Sequence, residues 1–127
     1  TLRYLEQRDL VAAAATRGAY LGRRLNEMLG TVACVGDVRG LGMLWGVEFV
    51  ADRETKAPFP PEARFGRRVG DLALERGVIF YPGHGSVDGV RGDHVLVAPP
   101  FVITEAQIDE LVDVLRGVVL DVWAEVG

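Results

Sequence analysis

"VGDVRGLGMLWGVEFV", residues 35–50, decides how the chain is read. From Met43 to Val50 the side chains alternate: Met43, Trp45, Val47 and Phe49 share one face, and Leu44, Gly46, Glu48 and Val50 the other. That is the period of a β-strand. Apolar residues dominate both faces, which predicts a central and largely covered strand. Just before it a lone cation, Arg39, stands beside Gly40 and Gly42. Either the guanidinium points into water, or the glycines, which carry no side chain, bring the backbone close to something anionic or to a neighbouring backbone. A guanidinium is planar, permanently charged, and forks onto a carboxylate through two parallel hydrogen bonds. The competing reading pairs Arg39 with Asp37 or Glu48 to hold a turn.

Upstream, the first thirty residues predict a helix with Leu10, Ala14, Leu21, Leu25 and Met28 on one stripe, the three- and four-residue steps of an α-helix. Gly18 and Gly22 each cost roughly 1 kcal/mol against Ala in a helix. As a spaced pair they predict close packing on a neighbour, and Gly30 ends the helix. Thr1 to Tyr4 are already in helical register without a cap, which predicts a piece of a longer chain. The face bearing Leu2, Leu5 and the alanines is then expected to be an apolar patch made for a missing partner domain or for self-association.

Between this helix and the central strand, Val32–Val35 reads as a short strand. Downstream, residues 51–63 are polar and then proline-rich, a loop. Pro61 opens a helix carrying Phe65, Val69, Leu72 and Ala73 inward, ended by Gly77. Residues 78–82 read as a buried strand, 83–93 as a glycine-rich hairpin-type connection, and 94–100 as a strand stopped by Pro99 and Pro100. Thr104 with Gln107 makes a capping box. Ile108, Leu111, Val112, Leu115, Val119 and Val122 follow as an apolar stripe. The order predicts an α+β fold, a small, mostly antiparallel sheet of about four strands packed against helices.

At 127 residues, 49% hydrophobic and 25% charged, the chain has the balance of one globular domain. The net charge is −4 and no basic cluster appears, which argues against nucleic acid. Arg23-Arg24 and Arg67-Arg68 read as solvated helix faces. No apolar run approaches the roughly 20 residues of a membrane helix, and no leader pattern opens the chain. The single cysteine, Cys34, excludes an internal disulfide, suits a reducing cytoplasm, and reads as a small core hydrophobe. His84, His94 and Cys34 lack metal-ligand spacing, so no metal is expected. Trp45 and Tyr81 read as core aromatics, Tyr81 the nearer to a substrate loop.

Three segments together, "DVRGLGMLWGVEFV", "GVIFYPG" and "GDHVLVAPPFVITEAQIDELVDVL", resemble the C-terminal small domain of class III aminotransferases, pyridoxal-phosphate enzymes of fold type I. The resemblance spans residues 1–127, with residues 1–30 as the segment leading out of a large domain. It implies ping-pong amino transfer from an amine or amino acid to a 2-oxo acid, in a cytoplasmic homodimer. The cofactor is then bound mainly by the large domain, and this chain supplies no catalytic and no cofactor-binding residue.

Lys56, the one lysine, lacks the desolvated setting a Schiff-base amine needs. In the family the arginine of the "RG.G" motif commonly binds substrate carboxylate, which assigns that role to Arg39. Arg91 is the rival, resembling a mobile arginine of some members, with a solvated loop arginine as its plainer reading. His84 is a third substrate-contact candidate, against the plainer reading of a loop hydrogen-bonder. His94 is expected to order a turn with Asp93. The alternative is a stand-alone α+β ligand-binding or interaction module, since fold alone does not carry function.

Overall fold

The computed structural model of the chain describes residues 2–84, 92–99 and 103–126, leaving aside the side chains of residues 2–11, 13, 14, 61 and 84. Helix α1 spans Leu2–Leu29 and buries Leu21, Leu25 and Leu29 completely. Ala12 and Ala15 lie exposed on it, while Leu2 and Leu5 fall outside the described side chains.

Gly30 closes the helix by donating its N–H to the Asn26 carbonyl at 3.0 Å. Val32 and Val35 then donate to the carbonyls three residues back, at 3.1 and 3.0 Å. The stretch Val32–Val35, expected to be a strand, is therefore a pair of turns. The strand that follows is β1, Val35–Leu41. Gly36 and Gly40 conceal it in the sequence, because glycine is depleted in strands.

β1 folds back onto β2, Leu44–Phe49, through the two-residue loop Gly42–Met43. Gly42 has φ of 60° while Met43 keeps an ordinary φ, the signature of a type II′ hairpin turn. β2 pairs in turn with β4, Asp93–Val97, and β4 with β3, Tyr81–His84. Every pairing is antiparallel and the spatial order is β1-β2-β4-β3. Val78 donates to the carbonyl of Ala73 at 2.9 Å, which keeps it on the preceding helix, so β3 starts later than residue 78.

One face of the sheet is apolar and covered. Val47, Phe49, Val95 and Val97 are buried there beneath three helices. α1 lies against β1, α2 (Phe65–Glu75) against β3 and β4, and α3 (Glu105–Val126) packs on both α1 and α2. The other face is open, which corrects the expectation that β2 is covered on both sides: Leu44 on that face is exposed.

A single extra residue governs which side chains reach the open face. Val35 pairs with Phe49 and Asp37 with Glu48, so Gly36 is a β-bulge. A bulge reverses the in–out alternation beyond it. Val38 and Gly40 therefore face the helices, while Asp37, Arg39 and Leu41 face outward. A Cβ at position 36 would meet Val50 Cγ1 at 2.7 Å, so this bulge needs glycine.

The helices are capped and tied as follows. A 3-10 turn at Pro61–Ala63 precedes α2, which begins at Phe65 rather than at Pro61. Arg64, at the N-cap, is left-handed (φ 48°) and makes no side-chain cap. The buried Asp93 replaces it, accepting the Gly66 N–H at 3.1 Å from the first residue of β4. A carboxylate suits the positive end of a helix. Asp93 thus caps α2 rather than ordering a turn with His94. α3 opens with the expected capping box, Thr104 N–H to Gln107 Oε1 at 2.9 Å and Gln107 N–H to Thr104 Oγ1 at 3.2 Å.

Asp109 on α3 accepts from Tyr20 Oη at 2.6 Å and Arg24 Nε at 3.0 Å on α1. The Tyr20 hydroxyl holds the Asp109 carboxyl below its usual range, and the same bond raises Tyr20. Arg24 therefore belongs to a helix–helix seam and not to a solvated face. Arg68 also reaches across, to Glu125 on α3 at 3.5 Å. Arg23 and Arg67 stay exposed beside Glu27 and Asp71 on their own helices.

The densest aromatic contact is centred on Phe65, fully buried, stacked on Phe59 at 4.4 Å and tilted on Phe49 at 4.9 Å. Truncating a buried Phe costs about 3–5 kcal/mol, so Phe65→Ala should lower the unfolding free energy by about that much in urea titrations. Cys34 is a core residue as expected, 0% exposed, and burial pushes its thiol up to about 11. At pH 8 only about 0.1% of it is thiolate, the nucleophilic form. Iodoacetamide should leave native Cys34 unlabelled and modify it readily in denaturant, as mass spectrometry would show.

Candidate functional site

The outward residues assemble into rows across the open face. Asp37, Glu48, His94 and Gly83 align in one, and Arg39, Gly46, Leu96 and Tyr81 in the next. Leu41 and Leu44 form a third at the hairpin end. Side chains one row apart on the same face are close enough to touch.

Arg39 stands at the edge of this face with its side chain 80% exposed. Its Nε lies 3.4 Å from Asp37 Oδ2. Among the described residues Asp37 is its ion-pair partner, and the guanidinium stays largely in solvent. The Asp37 partner is one of the competing readings of Arg39, and the structure contains that pair, on a side chain that stays exposed.

Beside it lies a shallow depression of about 210 Å³ lined by Asp37, Arg39, Gly46, Val47, Glu48, His94 and Leu96. Gly46 forms its floor. A Cβ there would find only ordinary contacts, with the Arg39 carbonyl and Leu96 Cδ2, both at 3.8 Å. Ligand pockets run to about 300–1,000 Å³, so this hollow is smaller than a complete ligand site. Leu41, Leu44, Tyr81 and Leu96 surround it as exposed apolar surface, with Leu41 88% exposed. Tyr81, expected in the core, stands in the open row instead, because the β3–β4 register sets it opposite Leu96.

The glycines around Arg39 serve the fold. A Cβ on Gly40 would lie 2.6 Å from Trp45 Cδ2, one on Gly22 would lie 2.2 Å from Trp45 Cζ2, and one on Gly18 would lie 2.2 Å from the Gly42 carbonyl oxygen. The close approach is made by α1 and the Trp45 indole on the covered side, which bears out the packing expected of Gly18 and Gly22.

Of the other candidates, Arg91 lies outside the described residues. The His84 backbone pairs with Asp93 at the far end of β3, and its side chain is likewise outside the description. Lys56 is exposed on the 51–57 loop and donates its ammonium to the Gly36 carbonyl. Such an amine does not fit the desolvated attachment point that pyridoxal phosphate requires. Among the described residues every buried side-chain polar atom has a partner, so none of them is an unpartnered group turned toward a cofactor. No described cluster of His, Cys, Asp or Glu could hold a metal, and no described helix is long and apolar enough to cross a membrane. Asp37, Gly46, Glu48, His94 and Leu96 were not singled out from sequence as site residues. Asp37 reaches Arg39 along its own strand, two residues away, and the cross-strand register brings the other four beside it.

Comparison with known proteins agrees with this architecture. The aminotransferase class-III family model matches residues 1–119. An uncharacterized aminotransferase of Schizosaccharomyces pombe is 49% identical over 111 residues, covering 87% of this chain and 24% of the yeast protein. An uncharacterized aminotransferase of Bacillus subtilis is 38% identical over 118 residues, covering 93% of this chain and 27% of its own. A solved transaminase from an ancestral-reconstruction series superposes with a TM-score of 0.84 at 40% identity, covering 99% of this chain and 26% of that one. The chain therefore spans about a quarter of the length of the relatives it matches.

Proposed function

This chain belongs to the class III aminotransferase family, and from that premise we propose that it is the small domain of a transaminase whose cofactor and catalytic lysine lie elsewhere in a longer polypeptide. The assigned extent is residues 1–127 as the C-terminal domain, with residues 1–30 leading out of a large domain. The complete enzyme moves an amino group from an amine or amino acid to a 2-oxo acid, as a cytoplasmic homodimer. Class III aminotransferases depend on pyridoxal phosphate, which supplies the electron sink for amino transfer. With Lys56 exposed and no unpartnered buried polar group among the described residues, this domain's part is substrate binding.

That part falls to the open sheet face, which closes one side of the site. Arg39 docks the carboxylate of the substrate through its two terminal nitrogens, a charge-assisted fork. Gly46 leaves room beside it, and Leu96 and Tyr81 offer apolar surface for the rest of the molecule. The observation that carries this reading is the exposed Arg39 guanidinium on the rim of a shallow depression, in a chain of this family. Arg91 and His84 remain further substrate-contact candidates.

A hydrogen bond to a charged group contributes about 1.5–3 kcal/mol, or roughly one to two decades of affinity. In the complete polypeptide, Arg39→Ala should raise KM for a 2-oxo acid by that factor and leave an amine donor without a carboxylate unaffected. Filling the floor with Gly46→Leu should raise the same KM. Steady-state kinetics with both substrates checks this. An unchanged 2-oxo acid KM in Arg39→Ala would refute the carboxylate role. A parent reading frame without a lysine-bearing large domain would favour the stand-alone module instead.

A further inference from the structure

We propose that Trp45 is a positioning residue for Arg39: its indole locks the arginine-bearing end of β1 against helix α1. The inference rests on the carboxylate-binding role of Arg39 and adds to it the element that fixes the guanidinium in place.

β1 is an edge strand, paired with β2 alone among the described residues. Its last turn of chain, Arg39-Gly40-Leu41-Gly42, contains two glycines and turns Leu41 into solvent. On the covered side these four residues have no side chain of their own to anchor them. The indole stands in for one. Trp45 pairs with Gly40 across the hairpin, its Cδ2 and the Leu44 carbonyl oxygen would lie 2.6 and 2.4 Å from a Gly40 Cβ, and its Nε1–H donates to the Gly42 carbonyl at 2.8 Å.

From the other side α1 presses on the same ring at Gly22, and Gly18 abuts the Gly42 carbonyl directly. The arrangement is a stack of α1 backbone, indole and β1 backbone, with the Arg39 side chain on the far surface. An off-rotamer or tilted indole would move the strand that carries Arg39. Small displacements of binding groups are costly in catalysis because productive geometry is narrow.

Trp45→Phe keeps a ring over Gly40 and removes the bond to Gly42. Gly22→Ala keeps the indole and forces it aside. In the complete polypeptide either variant should raise KM for a 2-oxo acid about three- to tenfold, with kcat within twofold and the KM of a carboxylate-free amine unchanged. The decisive comparison is a double-mutant cycle. In an Arg39→Ala background, neither variant should raise KM further. Two results overturn the proposal: a lower melting temperature with no change in KM, or an equal KM rise with and without Arg39. If Arg39→Ala itself leaves KM unchanged, the carboxylate role has failed, and the positioning role falls with it.

Discussion

The register shift at Gly36 is the constraint on which the site depends. One unpaired residue in an edge strand reverses the alternation of everything after it. Val35 is buried opposite Phe49, so in an unbroken strand Asp37 and Arg39 would follow it into the apolar layer. Burying that guanidinium among Val47, Phe49 and the helices would demand a full set of partners. The bulge removes the conflict by turning the charged pair out and Val38 and Gly40 in. It also explains why so compact a motif carries so many glycines. Gly36 makes the bulge against Val50, Gly40 makes room for the indole, and Gly42 supplies the turn.

The covered layer gives this open face its rigidity. Phe49, Phe59 and Phe65 join the sheet, the proline-rich segment and α2 in one aromatic contact. Asp93 ties the start of β4 to the start of α2, and Asp109 joins α3 to α1 through Tyr20 and Arg24. The helices therefore sit as a slab with their polar seams satisfied, while the opposite surface keeps Leu41, Leu44, Tyr81 and Leu96 in solvent. An antiparallel sheet commonly has one wet face, and that face is normally polar. Here it mixes leucines and an aromatic ring with two carboxylates, a histidine and an arginine. Such a mixture suits a surface that meets something else, in keeping with a domain a quarter the length of its relatives.

Much of this was legible from residue order. The α+β class, an antiparallel sheet of about four strands, three of them near their expected places, the capping box at Thr104, the buried stripes of α2 and α3 and the packing glycines of α1 all follow from local chemistry, and all are present. What escaped was non-local. The strand at Val35–Leu41 is masked by glycine. The bulge has no signature until its partner strand is known. The exposure of Tyr81 follows from its pairing with Leu96, which sets the face it takes. Arg39 is singled out by its motif and its chemistry. Its neighbours Gly46, Glu48, His94 and Leu96 line the same depression only through pairing between strands, which a single sequence does not display.

The central claim is that the Arg39 fork receives an acidic substrate on the open face of this sheet. Its most direct test is a crystal structure of the complete polypeptide with a bound 2-oxo acid. The account predicts both terminal nitrogens of Arg39 within about 2.7–2.9 Å of the substrate carboxylate oxygens, with Gly46 beneath. A carboxylate held by other groups, with the Arg39 guanidinium paired inside its own polypeptide and facing away from the ligand, would contradict it.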